Sequence, residues 1–231
     1  MEIHGFNKTT LLDYPGHVAA TIFTGGCNFR CPFCYNGDLV LNPASQPLVQ
    51  PEDVFTHLKK RRGILEGVCI TGGEPALQPD LPDFIRKIKE LGYLVKLDTN
   101  GYSPQVLRGL LEEGTVDYVA MDVKASLPNY PNAAGCPGLD ISRIEESIAL
   151  LKSCKIPYEF RTTVVRGIHT AEEFDHIGQL LSGCRAYYLQ SFRENENVIQ
   201  EGFGAFPRET LEEFAQRAGK YIDKVEIRGV E

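Results

Sequence analysis

Two rhythms of apolar and polar positions alternate along the chain. Short runs rich in β-branched and other apolar residues recur at 17–24, 67–71, 93–98, 117–123, 158–165, 185–192 and 224–228. Such runs, bounded by turn residues, predict strands. Between them the apolar positions shift to helical spacing. Leu81, Phe84, Ile85, Ile88 and Leu91 share one helix face. Gly92 follows as the expected C-terminal cap. Ile141, Ile144, Ile148 and Leu151 repeat the pattern. Ser103 and Pro104 mark an N-cap and a first helical position, and Thr170 with Glu173 has the spacing of a capping box.

The resulting β–α alternation runs to about six units, which implies a mostly parallel sheet with helical crossovers. A complete eightfold barrel takes about 250 residues. The expected fold is therefore α/β, a partial (β/α)6 barrel open on one side. An open doubly wound sheet is the alternative. Residues 1–16 are expected to be an N-terminal extension, 17–192 the six units, and 193–231 a C-terminal helix and strand. Residues 39–50, with Pro43 and Pro47, are expected to be loop. No linker divides the sequence, so a single domain over 1–231 is expected.

Composition narrows the function classes. With 42% hydrophobic and 24% charged residues, the 231-residue chain is ordinary for a globular protein. Its net charge of -7 makes it a poor nucleic-acid binder. The one basic run, Lys59, Lys60, Arg61 and Arg62, is expected to complement the end of a helix. No apolar stretch is long enough to span a bilayer, and residues 1–8 lack a signal-peptide core. The expected location is the cytoplasm, with no membrane or nucleic-acid partner.

Seven cysteines make an odd number for a disulfide framework, and three of them cluster as Cys27, Cys31 and Cys34 in a C-x3-C-x2-C array. Thiolates are soft ligands that suit iron–sulfur clusters and zinc. Three ligands on one loop can hold three irons of a cubane and leave the fourth open. A structural zinc site needs a fourth ligand, which His4 or His17 would have to supply without finger-like spacing. A thioredoxin-type redox pair would use Cys31 and Cys34 and leave Cys27 unexplained. All three remain open on spacing alone. Cys69, Cys136, Cys154 and Cys184 stand singly and are expected to be small buried hydrophobes.

With Phe33 before the last cysteine, the array resembles the signature of the radical S-adenosylmethionine enzymes. Thr71-Gly72-Gly73-Glu74-Pro75 resembles that family's GGE motif. Asp98-Thr99-Asn100-Gly101 and Asp122-Val123-Lys124 resemble features of its glycyl-radical activating enzymes. Leu12-Asp13-Tyr14-Pro15-Gly16 and the segment 160–167 are similar to the activating proteins of anaerobic ribonucleoside-triphosphate reductase. Each motif follows a predicted strand, and in parallel α/β folds ligands bind beyond those C-terminal ends.

The resemblance implies a [4Fe–4S] cluster on Cys27, Cys31 and Cys34 with S-adenosylmethionine on the unique iron. It implies that Phe33, Tyr35 and Asn36 lie near the cluster and the adenine, and that Gly72, Gly73 and Glu74 meet the amine. Asp98, Thr99 and Asn100 would meet the ribose and carboxylate. Asp98 and Asp122 with Thr99 would hold a monovalent cation, and Lys124 and Arg161 would face a carboxylate. Relatives often carry His where Tyr35 stands, and a His near the sixth strand where this chain reads Gln190-Ser191-Phe192-Arg193. The implied reaction is reductive cleavage to a 5′-deoxyadenosyl radical, with a glycyl-radical enzyme such as anaerobic ribonucleotide reductase as partner and flavodoxin or ferredoxin as reductant. A small-molecule or peptide substrate, and a non-catalytic zinc module, are the alternatives. His57, His169 and His176 are expected to have surface or capping roles.

Overall fold

The computed structural model describes residues 1–194 and 197–230. Within the expected C-terminal segment, residues 195, 196 and 231 thus lie outside the described residues. The chain divides into two compact units, each drawn from separated stretches of sequence. The first comprises Met1–Asn28, Asn36–Ala120 and Lys155–Pro157, and the second Phe29–Tyr35, Met121–Cys154 and Tyr158–Glu231.

The first unit holds strands β1 (Ile3–Thr10), β2 (Ala19–Thr24), β3 (Gly67–Gly72) and β4 (Leu94–Thr99). Its helices are α1 (Gly37–Leu41), α2 (Pro51–Lys60), α3 (Leu81–Glu90) and α4 (Pro104–Glu113). Strand β5 (Tyr118–Asp122) begins in this unit and ends in the second. The second unit continues with α5 (Tyr130–Ala133), α6 (Ile141–Ser153), β6 (Tyr158–Val164), α7 (Ala171–Leu180), β7 (Tyr187–Ser191), α8 (Arg208–Ala218) and β8 (Val225–Arg228).

Strand order follows chain order within each unit, β1 to β4 in the first and β6 to β8 in the second. β1 runs antiparallel to β2, whereas β2–β3, β3–β4, β6–β7 and β7–β8 are parallel. The expected α/β class with mostly parallel strands is the one found. All seven predicted strands are present to within two residues at either end.

β1 is the departure, because residues 1–16 were expected to be an extension. Only Ile3 and Thr10 of this strand are buried. An edge strand carrying polar residues such as Asn7 and Lys8 shows no two-residue apolar alternation, so its pattern is silent. Part of the expected 39–50 loop is also ordered, as the end of α1 and a 3-10 turn at Pro43–Ser45.

In the first unit Ile22, Val68, Ile70, Val95 and Leu97 form the strand layer of the core. The predicted face of α3 supplies Leu81, Phe84, Ile85 and Ile88, all buried. Each such side chain contributes about 1.5–3 kcal/mol on leaving water. In the second unit Phe160, Leu189, Phe174 and Phe214 do the same, with the Phe174 and Phe214 rings stacked at 4.5 Å. α4 begins at Pro104 after Ser103, as predicted, although the Ser103 hydroxyl makes no cap hydrogen bond. The capping box expected at Thr170 is absent: Thr170 precedes α7 without a side-chain cap, and Glu173 binds elsewhere.

Candidate functional site

Parallel register aligns the motifs of the first unit. Thr24 pairs with Gly72, and Ile70 with Leu97, so the Cys27 loop, Gly72–Glu74 and Asp98–Asn100 all leave the same end of the strands. The turns after β2 and β3 are laced together. Gly73 N–H donates to the Thr24 carbonyl at 2.9 Å and Glu74 N–H to the Gly26 carbonyl at 2.8 Å. A Cβ at Gly73 would lie 1.9 Å from the Gly26 oxygen, and Gly72 has φ +122° with Thr24 backbone against it. Only glycine allows that approach. The Asn36 amide donates to the Gly72 carbonyl at 2.9 Å, a contact with the GGE turn that the sequence did not disclose.

Glu74 is 1% exposed, and its carboxylate ties β3 to β4. It accepts from Ala76 N–H at 3.0 Å, the Thr99 hydroxyl at 2.7 Å and Asn100 N–H at 2.6 Å. The Asn100 side chain reaches Asn28 Oδ1 at 2.7 Å and the Cys27 sulfur at 3.8 Å. Asp98 forms an ion pair with Lys96, a buried lysine that sequence reading did not single out. Alternation along β4 places residues 96 and 98 on one face, which is the signal that would have found it.

The cysteine array continues into the second unit with Cys31 and Cys34. Cys34 N–H donates to the Cys31 carbonyl at 3.0 Å, closing a turn. Arg30 N–H donates to the Ala134 carbonyl at 2.8 Å, and Gly135 packs so closely that a Cβ there would lie 2.1 Å from the Arg30 oxygen. Gln200 N–H donates to the Pro32 carbonyl at 2.8 Å. Phe33 is buried. Tyr35 stacks on Phe192 with ring centroids 5.5 Å apart, and its hydroxyl accepts from Arg193 N–H at 2.5 Å. Burial pushes the Tyr35 phenol up.

Asp122, at the end of β5, meets two cations. Arg161 Nε lies 3.0 Å from one carboxylate oxygen and Lys124 Nζ 3.1 Å from the other. Burial alone would raise the Asp122 carboxyl, but Arg161 and then Lys124 outweigh it and hold the group at about 2. Burial would lower the Lys124 ammonium, but Asp122 and then Cys31 raise it. Arg161 was expected to face the carboxylate of a bound molecule, and its ion-pair partner within the chain is Asp122. Beside these groups lies a cavity of about 440 Å³ lined by Tyr35, Asp122, Arg161, Arg193 and Arg228, among others.

His169 corrects an expectation. It is 4% exposed and hydrogen-bonded at both ring nitrogens, so it is neither a surface group nor a cap. Of the single cysteines, Cys69 and Cys184 are buried as expected, while Cys136 and Cys154 are partly exposed.

All seven cysteines are thiols, so the three-cysteine array offers soft donors of the kind an iron–sulfur cluster requires. Among the described residues, no group of three or more His, Cys, Asp or Glu side chains could hold a single metal ion. Also among them, no helix is long and apolar enough to cross a membrane.

Comparison with known proteins then decides the family. The sequence profile of the Radical SAM superfamily matches residues 21–181. The chain belongs to the radical SAM superfamily. It is 34% identical, over 99% of its length and 96% of the relative's, to a Methanocaldococcus jannaschii protein named "Putative glycyl-radical enzyme activating enzyme". It is 28% identical to the "Probable GTP 3',8-cyclase" of Thermococcus kodakarensis, over 67% of this chain and 50% of that one. Streptococcus suis SuiB, solved with S-adenosylmethionine bound, shares the fold with a TM-score of 0.66 at 13% identity, covering 89% of this chain and 49% of SuiB. As a radical SAM family member the chain is an enzyme, and its family implies a [4Fe–4S] cluster and S-adenosylmethionine.

Proposed function

We propose that the chain holds a [4Fe–4S] cluster on Cys27, Cys31 and Cys34, cleaves S-adenosylmethionine reductively, and installs a glycyl radical on a partner enzyme such as anaerobic ribonucleotide reductase. The observation that carries the partner class is the near full-length match to a protein named as an activating enzyme. When bound, the cluster supplies the electron that breaks the carbon–sulfur bond and yields a 5′-deoxyadenosyl radical. A flavodoxin- or ferredoxin-type protein is the reductant in this proposal. The whole of 1–231 acts as one catalytic domain.

The chain's own residues then have positional tasks. Gly72 and Gly73 let the turn after β3 pack on the Thr24 and Gly26 backbone, which sets Glu74 beside the place proposed for the amine. Glu74 fixes Thr99 and Asn100 for the ribose and carboxylate, and its charge favours the ammonium. Lys124 and Arg161 face the carboxylate while Asp122 holds them in place. Tyr35, stacked on Phe192, gives the adenine end a flat apolar wall. Phe33 keeps water from the cysteines. A cation at Asp98 and Thr99 would compete with Lys96 for the carboxylate, as one at Asp122 would with Arg161 and Lys124. Potassium dependence of cofactor binding tests whether it forms.

One observation favours a second proposal, a small-molecule substrate. The cavity beside Arg161, Arg193 and Arg228 has a volume suited to such a ligand. Incubation of the reduced protein with a candidate anaerobic reductase and S-adenosylmethionine separates the two. A glycyl EPR signal on the reductase supports the first. Deoxyadenosine formed on a small substrate, without that signal on any glycyl-radical candidate, overturns it.

A further inference from the structure

His169 is the one histidine of the second unit whose two ring nitrogens both bind main chain in the described structure. Val165 N–H donates to Nδ1 at 3.0 Å. That bond assigns the proton to Nε2, which donates to the Lys124 carbonyl at 2.8 Å. The ring also packs edge-on against Phe33 at 6.4 Å, in the cysteine array itself. A second tie lies two residues beyond Lys124. The Glu173 carboxylate accepts both the backbone N–H and the hydroxyl of Ser126, at 2.8 and 2.9 Å. A third runs from the Asn129 amide to the Ile168 carbonyl at 3.1 Å. The segment after β6 therefore grips the segment after β5 at three points, with Lys124 at the first of them.

Lys124 carries its charge on a long side chain with much rotamer freedom to lose. An ammonium on such a stem is a precise contact only if its backbone is fixed and its head is held. Asp122 holds the head. The carbonyl bond from His169 and the Glu173–Ser126 pair fix the backbone.

We propose that His169, supported by Glu173, is a positioning residue that sets Lys124 for the carboxylate of S-adenosylmethionine. This rests on the role proposed above for Lys124. The imidazole acts through the Lys124 main chain and touches no reacting atom. Its Nε2 donor is the essential feature, and its Nδ1 acceptor serves the local turn.

Substitutions that mimic one nitrogen at a time test this. Gln at 169 can place an amide donor near the Nε2 position, and Asn an acceptor near Nδ1. Equilibrium binding of S-adenosylmethionine to the reconstituted protein is measured for Lys124→Ala, His169→Gln, His169→Asn and the double variant Lys124→Ala/His169→Asn. Melting of each metal-free protein reports folding separately. Lys124→Ala and His169→Asn should each weaken binding about tenfold, as loss of an outer support commonly does. His169→Gln should bind within about twofold of the parent, and the double variant no more weakly than Lys124→Ala. Glu173→Ala, at the partly exposed second tie, should also weaken binding and provides a variant if His169→Asn does not fold. Weakening by Lys124→Ala with parental binding in His169→Asn or Glu173→Ala overturns the positioning role and leaves that of Lys124 standing. Additive losses in the double variant overturn it as well. Parental binding in Lys124→Ala removes the role of Lys124 and the inference with it.

Discussion

The Glu74 carboxylate accepts the backbone N–H of Asn100 at 2.6 Å, joining two strand ends 26 residues apart in sequence. Both partners are buried. The Glu of a Gly-Gly-Glu turn thus organises the next turn whatever it does for a ligand. Glu74→Ala leaves the Thr99 hydroxyl and the Asn100 N–H without this acceptor, at about 1–3 kcal/mol for each buried unsatisfied group. Urea unfolding should show a lower midpoint with little change in slope. Glu74→Gln retains one acceptor oxygen and should lose less. An unchanged midpoint in Glu74→Ala would mean that the Asn100 turn is held by other contacts.

Much of this site was legible in the sequence for one reason. Its residues come in short contiguous motifs, each placed after a strand whose apolar run is unmistakable, and parallel strands bring such positions to the same end. Cys27, Gly72–Glu74 and Asp98–Asn100 were found in this way. What escaped was pairing at a distance. The bond from Asn36 to Gly72 and the partnership of Arg161 with Asp122 join residues far apart in sequence, which spacing does not encode, whereas the pairing of Lys96 with Asp98 was there to be read in the alternation along β4. His169 was misjudged because a lone histidine in a loop carries no periodic signal of burial. Glu173 sat at capping-box spacing, yet its carboxylate found the Ser126 N–H and hydroxyl instead. β1 was missed because an edge strand need not alternate.

Burial is the largest influence on the His169 imidazole and lowers it from its ordinary 6.5. The hydrogen bonds to Lys124 and Val165 and the charge of Glu173 act the other way and do not cancel it. The folded state therefore binds a proton at this ring less readily than the unfolded chain. Stability from the neutral ring is complete above pH 6.5 and is lost as pH falls below it, towards the lowered folded value. Thermal melting should decline on acidification through that window, and His169→Gln should flatten the decline. An equal decline in the variant would assign the pH dependence to other groups.

Asp122 gives a second, separate window. Its folded carboxyl stands at about 2 against an ordinary 3.8. The ion pairs to Arg161 and Lys124 are thus intact above 3.8 and are lost as pH falls through about 2. Asp122→Asn removes the charge at every pH. The stability gap between parent and variant should be constant above 3.8 and close between there and about 2. A gap that persists undiminished at the acid limit would contradict the ion-pair account.

Cys27, Cys31 and Cys34 are proposed to make this chain a reductive cleaver of S-adenosylmethionine. The most direct test measures 5′-deoxyadenosine released from S-adenosylmethionine by the anaerobically reconstituted, reduced protein and by its Cys31→Ala variant. The parent should hold about four irons per chain and form deoxyadenosine, with both lost in the variant. Deoxyadenosine formation undiminished in Cys31→Ala, or one zinc and no iron in the parent, would contradict it.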